Sequence, residues 1–188
     1  MYAASIPYKI KWIGLLEGKY NDLEKMEIDR ILEVENCLPI FIEDETLISN
    51  YFEFYESWLN PIFNNSSVIE NPAKLETLWE AYLKVNTMFA ETMKTRCQLS
   101  SKSIIFIHDN YLLMLPHFII AFIGKRTYMS LINTQPFPSS DFFMQFPYRK
   151  ELLKSMLLCS LLSFHTFQSS KHFINVVKNL MDVEFEME

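Results

Sequence analysis

Glycine and cysteine are both scarce in this chain of 188 residues, with three of each. The glycines, Gly14, Gly18 and Gly124, form neither a Walker-type phosphate loop nor the G-x-G-x-x-G turn of dinucleotide-binding domains. The cysteines are far apart and include no C-x-x-C pair, so nothing favours a zinc ribbon or a disulfide framework. We therefore expect an intracellular protein of a reducing compartment, with the cytoplasm as the simplest choice.

Basic charge is also in short supply. The 17 Lys and Arg residues are outnumbered by 23 Asp and Glu, which gives a net charge of −6. Because binding to phosphates needs a basic face, we expect no nucleic-acid partner. The acidic residues are concentrated between Glu17 and Glu56, where there are twelve of them against three basic residues. This segment is either a solvated acidic surface, which is the more common case, or a docking face for a basic partner.

Long hydrophobic runs are missing. The longest covers the 13 residues 111–123 and contains Pro116 and His117, so it is too short to span a bilayer and indicates a buried helix. The first residues lack the apolar run of a signal peptide. Apolar residues nevertheless make up 49% of the chain, with 16 Phe and 10 Met, which is enough for a large core.

Short apolar runs alternate with helical patterns along the chain. The predicted strands are 10–16, 37–42, 103–107, 127–132 and 160–164, with a further edge strand at 183–188. The predicted helices are 47–63 capped by Thr46, 73–96, 111–123 ended by Gly124 as a left-handed cap, 141–158 capped by Ser139 or Ser140, and 169–180. Residues 19–35 are either a loop or an exposed helix. This order predicts an α/β, Rossmann-like fold, a mostly parallel sheet with helices on both faces.

In such a sheet, ligands bind at the carboxyl ends of the strands. Asp109 follows one predicted strand and Thr134 follows the next. From the residues alone, Asp109 either accepts hydrogen bonds from sugar hydroxyls or caps the following helix, and capping is favoured. His165 and His172 are seven residues apart without a carboxylate cluster, so we expect no metal site and no cofactor.

Eight segments, in one order, resemble motifs of the trehalose-6-phosphate synthases, which are retaining glycosyltransferases built from two Rossmann-like domains. They are 12–14 (WIG), 38–44 (LPIFIED), 50–63 (NYFEFYESWLNPIF), 79–86 (WEAYLKVN), 107–116 (IHDNYLLMLP), 136–141 (PFPSSD), 146–153 (FPYRKELL) and 164–167 (FHTF). Each motif is weak alone, but the ordered set covers about residues 10–180 and indicates common descent.

The resemblance implies transfer of glucose from UDP-glucose to glucose 6-phosphate. Tyr51 matches a tyrosine that binds the acceptor phosphate, and Asp109 matches an aspartate that binds the acceptor sugar. Two positions have degenerated: Asn60 replaces a tryptophan of the acceptor pocket, and Thr134 replaces a histidine that contacts the donor glucose. Bulky Phe52 and Glu53 also stand where the family has Asn-Gly.

By the same resemblance, residues 1–188 are a single first domain that lacks the family's first strand and its carboxyl-terminal donor domain. That second domain supplies the cations that neutralise the leaving diphosphate, and losing even one such group costs about 3–4 kcal/mol of transition-state stabilisation. We therefore expect a non-catalytic subunit with a structural or interaction role, whose partners are other protein chains of an assembly. The alternatives are one part of an active or split glycosyltransferase, and a sugar-phosphate sensor.

Overall fold

The computed structural model describes residues 9–68, 72–100, 102–124 and 127–181. They divide into two compact units, one ending at Ile48 and the other beginning at Ser49. The predicted edge strand at 183–188 lies outside the described residues. Within the described ranges, no helix combines the length and the apolar character needed to cross a membrane.

The first unit contains two parallel strands and the helix that joins them. Strands β1 (Trp12–Glu17) and β2 (Cys37–Ile42) pair in parallel, with Trp12 opposite Cys37. Between them, α1 (Asp22–Val34) begins at a capping box, in which the Asn21 side chain and the Glu24 carboxylate bind each other's backbone N–H groups. Both strand predictions are confirmed, and residues 19–35 contain the exposed helix rather than a loop.

The predicted helix 47–63 is present but is not regular. Helix α2 (Glu45–Phe54) continues through a π-helical turn, Tyr55–Leu59, into α3 (Asn60–Phe63). The wide turn ends two residues before Pro61, which has no N–H to continue an α-helical hydrogen-bond ladder. The prediction that Thr46 caps this helix is wrong, because Asp44 Oδ1 accepts the N–H bonds of Thr46 and Leu47 at 2.9 and 3.1 Å.

The longest helix supplies much of the core of the second unit. Helix α4 (Leu75–Arg96) follows a 3-10 turn at Pro72–Lys74. Apolar side chains recur at three- and four-residue steps along it, and all seven are buried: Leu75, Leu78, Trp79, Tyr82, Val85, Phe89 and Met93. Phe54 is fully buried and its ring packs on those of Trp79, Tyr82 and Phe146. The aromatic residues of 51–58 are thus mainly core.

The second unit holds a three-stranded parallel sheet in the order β3 (Ile104–His108), β4 (Tyr128–Asn133), β5 (Leu161–Phe164). All three strands lie within a residue or two of their predicted positions. The predicted parallel sheet flanked by helices is confirmed, although β3 alternates between buried and exposed residues and Phe106 is 59% exposed. Its inward residues Ile105 and Ile107 are buried.

Helix α5 (Leu115–Ile123) lies between β3 and β4 and begins four residues later than predicted, after a 3-10 turn at Asn110–Leu112. Gly124 does end it, but not in the left-handed helical conformation that we predicted. Its φ of 96° and ψ of 176° belong to an extended region with positive φ that glycine adopts almost alone.

The predicted helix 141–158 is divided. Helix α6 (Ser140–Phe143) ends before Pro147, and α7 (Arg149–Met156) begins after it. The residue before a proline is pushed out of helical geometry, which explains the break. Neither predicted serine makes a capping bond: Ser139 occupies the cap position of α6 without one, and Ser140 is the first helical residue. Helix α8 (Phe167–Met181) follows β5, as predicted.

Candidate functional site

Asp109 and Thr134 meet where β3 and β4 end. Parallel pairing continues one residue past β3, because the Asp109 N–H donates to the Ile132 carbonyl at 2.9 Å. Asp109 Oδ1 then accepts two hydrogen bonds from Thr134, one from the backbone N–H at 2.8 Å and one from the hydroxyl at 2.5 Å. Two residues singled out from the sequence 25 positions apart are therefore in direct contact.

Asp109 has an unusual backbone. Its φ of 57° and ψ of −165° lie in a region that only glycine enters without strain. It precedes the 3-10 turn Asn110–Leu112 but makes no side-chain capping bond there. The interpretation of Asp109 as a helix cap, which the residues alone favoured, is thus wrong. The strained backbone instead directs the carboxylate across to Thr134.

Tyr51 lies in α2 and is buried, with 2% of its surface exposed. Its hydroxyl donates to the backbone carbonyl of Tyr111 at 3.1 Å, two residues beyond Asp109. Burial, reinforced by neighbouring tyrosines, raises the pKa of Tyr51 far above its usual value. The hydroxyl is therefore a neutral donor that already has a backbone acceptor.

Asn60 is not joined to the other three residues by a described hydrogen bond. Within α3, its backbone carbonyl and side-chain Oδ1 both accept from Asn64 Nδ2, at 2.9 and 2.8 Å. Asn60 is thus bonded to the C-cap residue of its own short helix. The structure brings Asp109 and Thr134 into direct contact. Tyr51 bonds to the backbone carbonyl of Tyr111, two residues beyond Asp109, whereas Asn60 bonds to Asn64.

Sequence reasoning missed a network of buried polar side chains behind Asp109. The Tyr82 hydroxyl donates to the Asn110 carbonyl at 2.9 Å and accepts from the Leu113 N–H at 2.8 Å. Asn86 Nδ2 donates to the carbonyls of Tyr82 and Tyr111, at 2.9 and 3.3 Å. The available signal was Asn86, a polar residue on the otherwise apolar face of α4. This network fixes the backbone of residues 110–113.

A second branch connects the two strand ends to the π-helical turn. Asn110 Nδ2 donates to Gln135 Oε1 at 2.8 Å, and Gln135 Nε2 donates to the Tyr55 hydroxyl at 2.5 Å. The Tyr55 ring stacks on that of Tyr111, with centroids 3.9 Å apart. The pKa of Tyr111 is raised to about 12; burial is the largest cause, and the hydrogen bond with the Tyr55 hydroxyl is the next.

Three buried amide atoms at this end of the sheet and on the adjacent helix have no hydrogen-bond partner among the described residues. They are Asn86 Oδ1, Asn110 Oδ1 and Asn133 Nδ2. Asn110 is completely buried and Asn133 is 1% exposed. Buried polar atoms without partners are uncommon in folded proteins, so these mark a place where the chain retains spare hydrogen-bonding capacity.

The two basic residues nearest to Tyr51 in the sequence are both occupied elsewhere. Lys74 Nζ binds Glu53 Oε1 at 2.6 Å, and the Arg30 guanidinium binds the Glu27 carboxylate at 2.7 Å. Glu53 is one of the residues that depart from the family motif. Among the described residues, no cluster of three or more histidine, cysteine, aspartate or glutamate side chains is arranged to hold a metal ion.

Comparison with known proteins places the chain in a family. The sequence profile of glycosyltransferase family 20 matches residues 3–188. The 56 kDa subunit of a trehalose-phosphate synthase from Kluyveromyces lactis is 31% identical over 181 residues, which are 92% of this chain and 36% of the relative. The corresponding subunit from Saccharomyces cerevisiae is 31% identical over 186 residues, which are 94% of this chain and 36% of the relative. The chain thus spans about a third of the length of these relatives.

Solved structures share the fold. The N-terminal domain of a trehalose-6-phosphate phosphatase from Candida albicans has a TM-score of 0.81 at 24% identity, covering 93% of this chain and 36% of that one. A trehalose-phosphate synthase from Burkholderia xenovorans, solved in complex with glucose-6-phosphate, has a TM-score of 0.66 at 21% identity, covering 78% of this chain and 30% of that one. The α/β fold with parallel sheets is therefore the Rossmann-like fold of these proteins, and the chain belongs to glycosyltransferase family 20.

Proposed function

We propose that this chain is a non-catalytic member of its family that serves as a structural or interaction subunit of a larger assembly. The observation that carries the proposal is the pair of hydrogen bonds from Thr134 to Asp109. Asp109 is the residue expected to bind the acceptor sugar. Here one of its carboxylate oxygens is occupied by a residue that stands in place of a donor-site histidine.

The other expected acceptor ligand is also engaged. A sugar phosphate would have to take the Tyr51 hydroxyl from the Tyr111 carbonyl, inside a region where Tyr51 is 2% exposed. Phosphate binding usually draws on lysine or arginine. Lys74, the basic residue that follows Tyr51 most closely in the sequence, is paired with Glu53. The site thus combines an occupied carboxylate and a buried hydroxyl, and the lysine nearest to Tyr51 in the sequence is paired with a carboxylate.

Two relatives support the proposed role as a subunit of an assembly. The Kluyveromyces and Saccharomyces proteins are both named as subunits, so membership of an assembly is a precedent among the similar proteins. We infer the same for this chain, with other protein chains as its partners.

A transfer assay tests the proposal that the chain is non-catalytic. Purified full-length chain is incubated with UDP-glucose and glucose 6-phosphate, and release of UDP is followed, with the Saccharomyces relative as positive control. We expect release no faster than in the absence of protein. Turnover that disappears in Asp109→Ala would overturn the proposal. The interaction half is tested by native sizing of the endogenous protein, which we expect to elute with other chains; elution as a free monomer would refute it.

A second candidate is the acceptor half of an active or split glycosyltransferase. Two observations favour it: the strained backbone of Asp109, since strain of this kind concentrates at functional sites, and the unpartnered atoms of Asn110 and Asn133. It requires UDP release in native extract that is lost when Asp109→Ala replaces the endogenous chain. The third candidate, a sensor, requires heat on titration with glucose 6-phosphate or trehalose 6-phosphate without turnover.

A further inference from the structure

Helix α1 is apolar on two opposite faces. One face, which includes Ile28 and Leu32, is half-buried and packs against β2. The other carries four large apolar side chains that are exposed: Leu23 at 78%, Met26 at 70%, Ile31 at 54% and Val34 at 76%. Viewed down the helix axis, with 100° between successive residues, all four side chains project within about 80° of the direction opposite to the packed face. A surface helix normally presents polar residues there, so this stripe is typical of a helix that is covered on both sides.

Acidic residues surround the stripe. The helix contains five acidic residues against two basic ones, Lys25 and Arg30. Both of the basic side chains are already engaged, Lys25 with Glu43 and Arg30 with Glu27. By helical position, Asp22 and Glu33 lie along one border of the stripe, and Glu24 and the C-cap residue Glu35 lie along the other. A partner that covers the stripe therefore meets negative charge on both sides.

We propose that the exposed stripe of α1, formed by Leu23, Met26, Ile31 and Val34, docks an amphipathic helix of another protein chain, one with an apolar seam flanked by lysine and arginine. The first and last pairs of the stripe are each three residues apart, and the two pairs are eight residues apart, so all four side chains lie on one face of the helix. Laying the apolar face of one helix on another apolar surface is a usual mode of helix recognition. Basic flanks are favoured because the acidic borders of α1 repel acidic partners and speed association with basic ones. The inference rests on the proposed interaction role and names the partner's chemistry.

A second copy of this chain fits less well. In a symmetric antiparallel pair of α1 helices, the same acidic borders would face each other, for example Glu24 against Glu35 of the other copy. Like charges placed in this way oppose association, and the net charge of −6 on each copy adds to the repulsion. Charge complementarity thus selects a basic partner over self-association.

Site-specific crosslinking tests the proposal in the intact protein. A photoreactive benzophenone amino acid replaces Met26 in the full chain, expressed at native abundance in its own cells. The matched control places the same group at Glu91, an exposed position on α4. We expect Met26, but not Glu91, to crosslink to a helical segment whose apolar seam is flanked by basic residues, and the yield to fall several-fold when the salt concentration is raised.

The crosslinked segment is then synthesised as a peptide and titrated against the purified chain by fluorescence anisotropy. Because Leu23 and Val34 are exposed, replacing both with serine leaves the fold intact, and we expect at least tenfold weaker binding. We also expect Glu33→Lys to weaken binding and Glu91→Lys to leave it unchanged. No crosslink at Met26, crosslinks only to a second copy, a partner segment without basic flanks, or unchanged affinity in the serine variant would each overturn the inference.

The two proposals fail in different ways. Sugar transfer by the purified chain would refute the non-catalytic function and leave the Met26 crosslink as it is. A stable assembly in which Met26 and Glu91 crosslink equally would keep the interaction role and refute this docking surface.

Discussion

Thr134 holds one carboxylate oxygen of Asp109 through two hydrogen bonds, from its N–H at 2.8 Å and its hydroxyl at 2.5 Å. The bonds link the ends of β3 and β4, so they fix the loop geometry as well as the carboxylate. From the resemblance to the family motifs we expected this position to correspond to a histidine of the donor-glucose site. The threonine that stands here instead bonds to Asp109.

We predict that Thr134→Val destabilises the chain by about 1 kcal/mol, because a hydrogen bond to a charged group is lost while the backbone bond remains. The free energy of unfolding is measured by urea denaturation. Thr134→Ser keeps the hydroxyl and is expected to stay near the wild-type value. In the Asp109→Asn background, the valine substitution should cost clearly less; equal costs in both backgrounds would contradict a bond between the two side chains.

At Asp109, we expect glycine to be tolerated better than alanine. Both substitutions remove the carboxylate, but only glycine relieves a backbone strain of about 1–3 kcal/mol at a φ of 57°. The greater freedom of glycine in the unfolded chain offsets about 0.5–1 kcal/mol of this gain. Asp109→Gly should therefore unfold at a higher urea concentration than Asp109→Ala, and the reverse order would contradict the strained backbone.

Removing the hydroxyl of Tyr82 should cost more than removing that of Tyr51. The Tyr82 hydroxyl both donates to the Asn110 carbonyl and accepts from the Leu113 N–H in a fully buried position, so Tyr82→Phe leaves two backbone groups without this partner. We expect a loss of about 2 kcal/mol or more. After Tyr51→Phe, the Tyr111 carbonyl still accepts from Asn86, and a loss of about 0.5–1 kcal/mol follows. Equal losses, measured by urea denaturation, would argue against this difference.

Alkaline pH should destabilise the chain. Burial raises the pKa of Tyr51 and Tyr82, and raises that of Tyr111 to about 12. Above about pH 10 the unfolded tyrosines lose their protons while the folded ones keep theirs, so the unfolded state binds fewer protons and stability falls as the pH rises. Below about pH 10 this contribution is constant. The check is the urea midpoint at several pH values, with tyrosinate absorbance to confirm that the folded hydroxyls stay neutral.

Cys159 adds a separate and earlier loss. Burial raises the pKa of its thiol from 9.0 to about 12, so its contribution declines from about pH 9 upwards. Cys159→Ala should remove this part of the pH dependence and leave the part due to the tyrosines. A profile that Cys159→Ala does not change would show that the thiol does not contribute.

The strands and the long helix α4 were predictable because the apolar residues in their sequences are the ones that become buried. The run 37–42 is apolar throughout and forms β2 with the predicted bounds, and the three- and four-residue spacing along α4 matches its buried face. The errors fell at helix ends and breaks. Asp44 rather than Thr46 caps α2, and Pro147 divides α6 from α7, because local competition among short polar side chains and proline decides such points.

At the candidate site, the sequence predicted that Asp109 and Thr134 each follow a strand, but not that they bond to each other. The role of Asp109 as a helix cap was wrong for the same reason: its side chain finds a stronger partner across the sheet than along its own chain. The Tyr82 and Asn86 network was missed because its acceptors are backbone carbonyls of a distant loop, which leave no trace in the residue types.

The sequence by itself determined the family, the parallel α/β fold and which strand ends carry polar side chains, since apolar periodicity and ordered motifs are properties of the linear chain. Only the tertiary structure decided that Thr134 occupies the Asp109 carboxylate, that the Tyr51 hydroxyl is buried against a carbonyl, and that α1 leaves an apolar stripe uncovered. These features depend on which groups meet across 25 or 60 residues of chain, and hydrogen-bond geometry and burial exist only once the strands and helices are assembled.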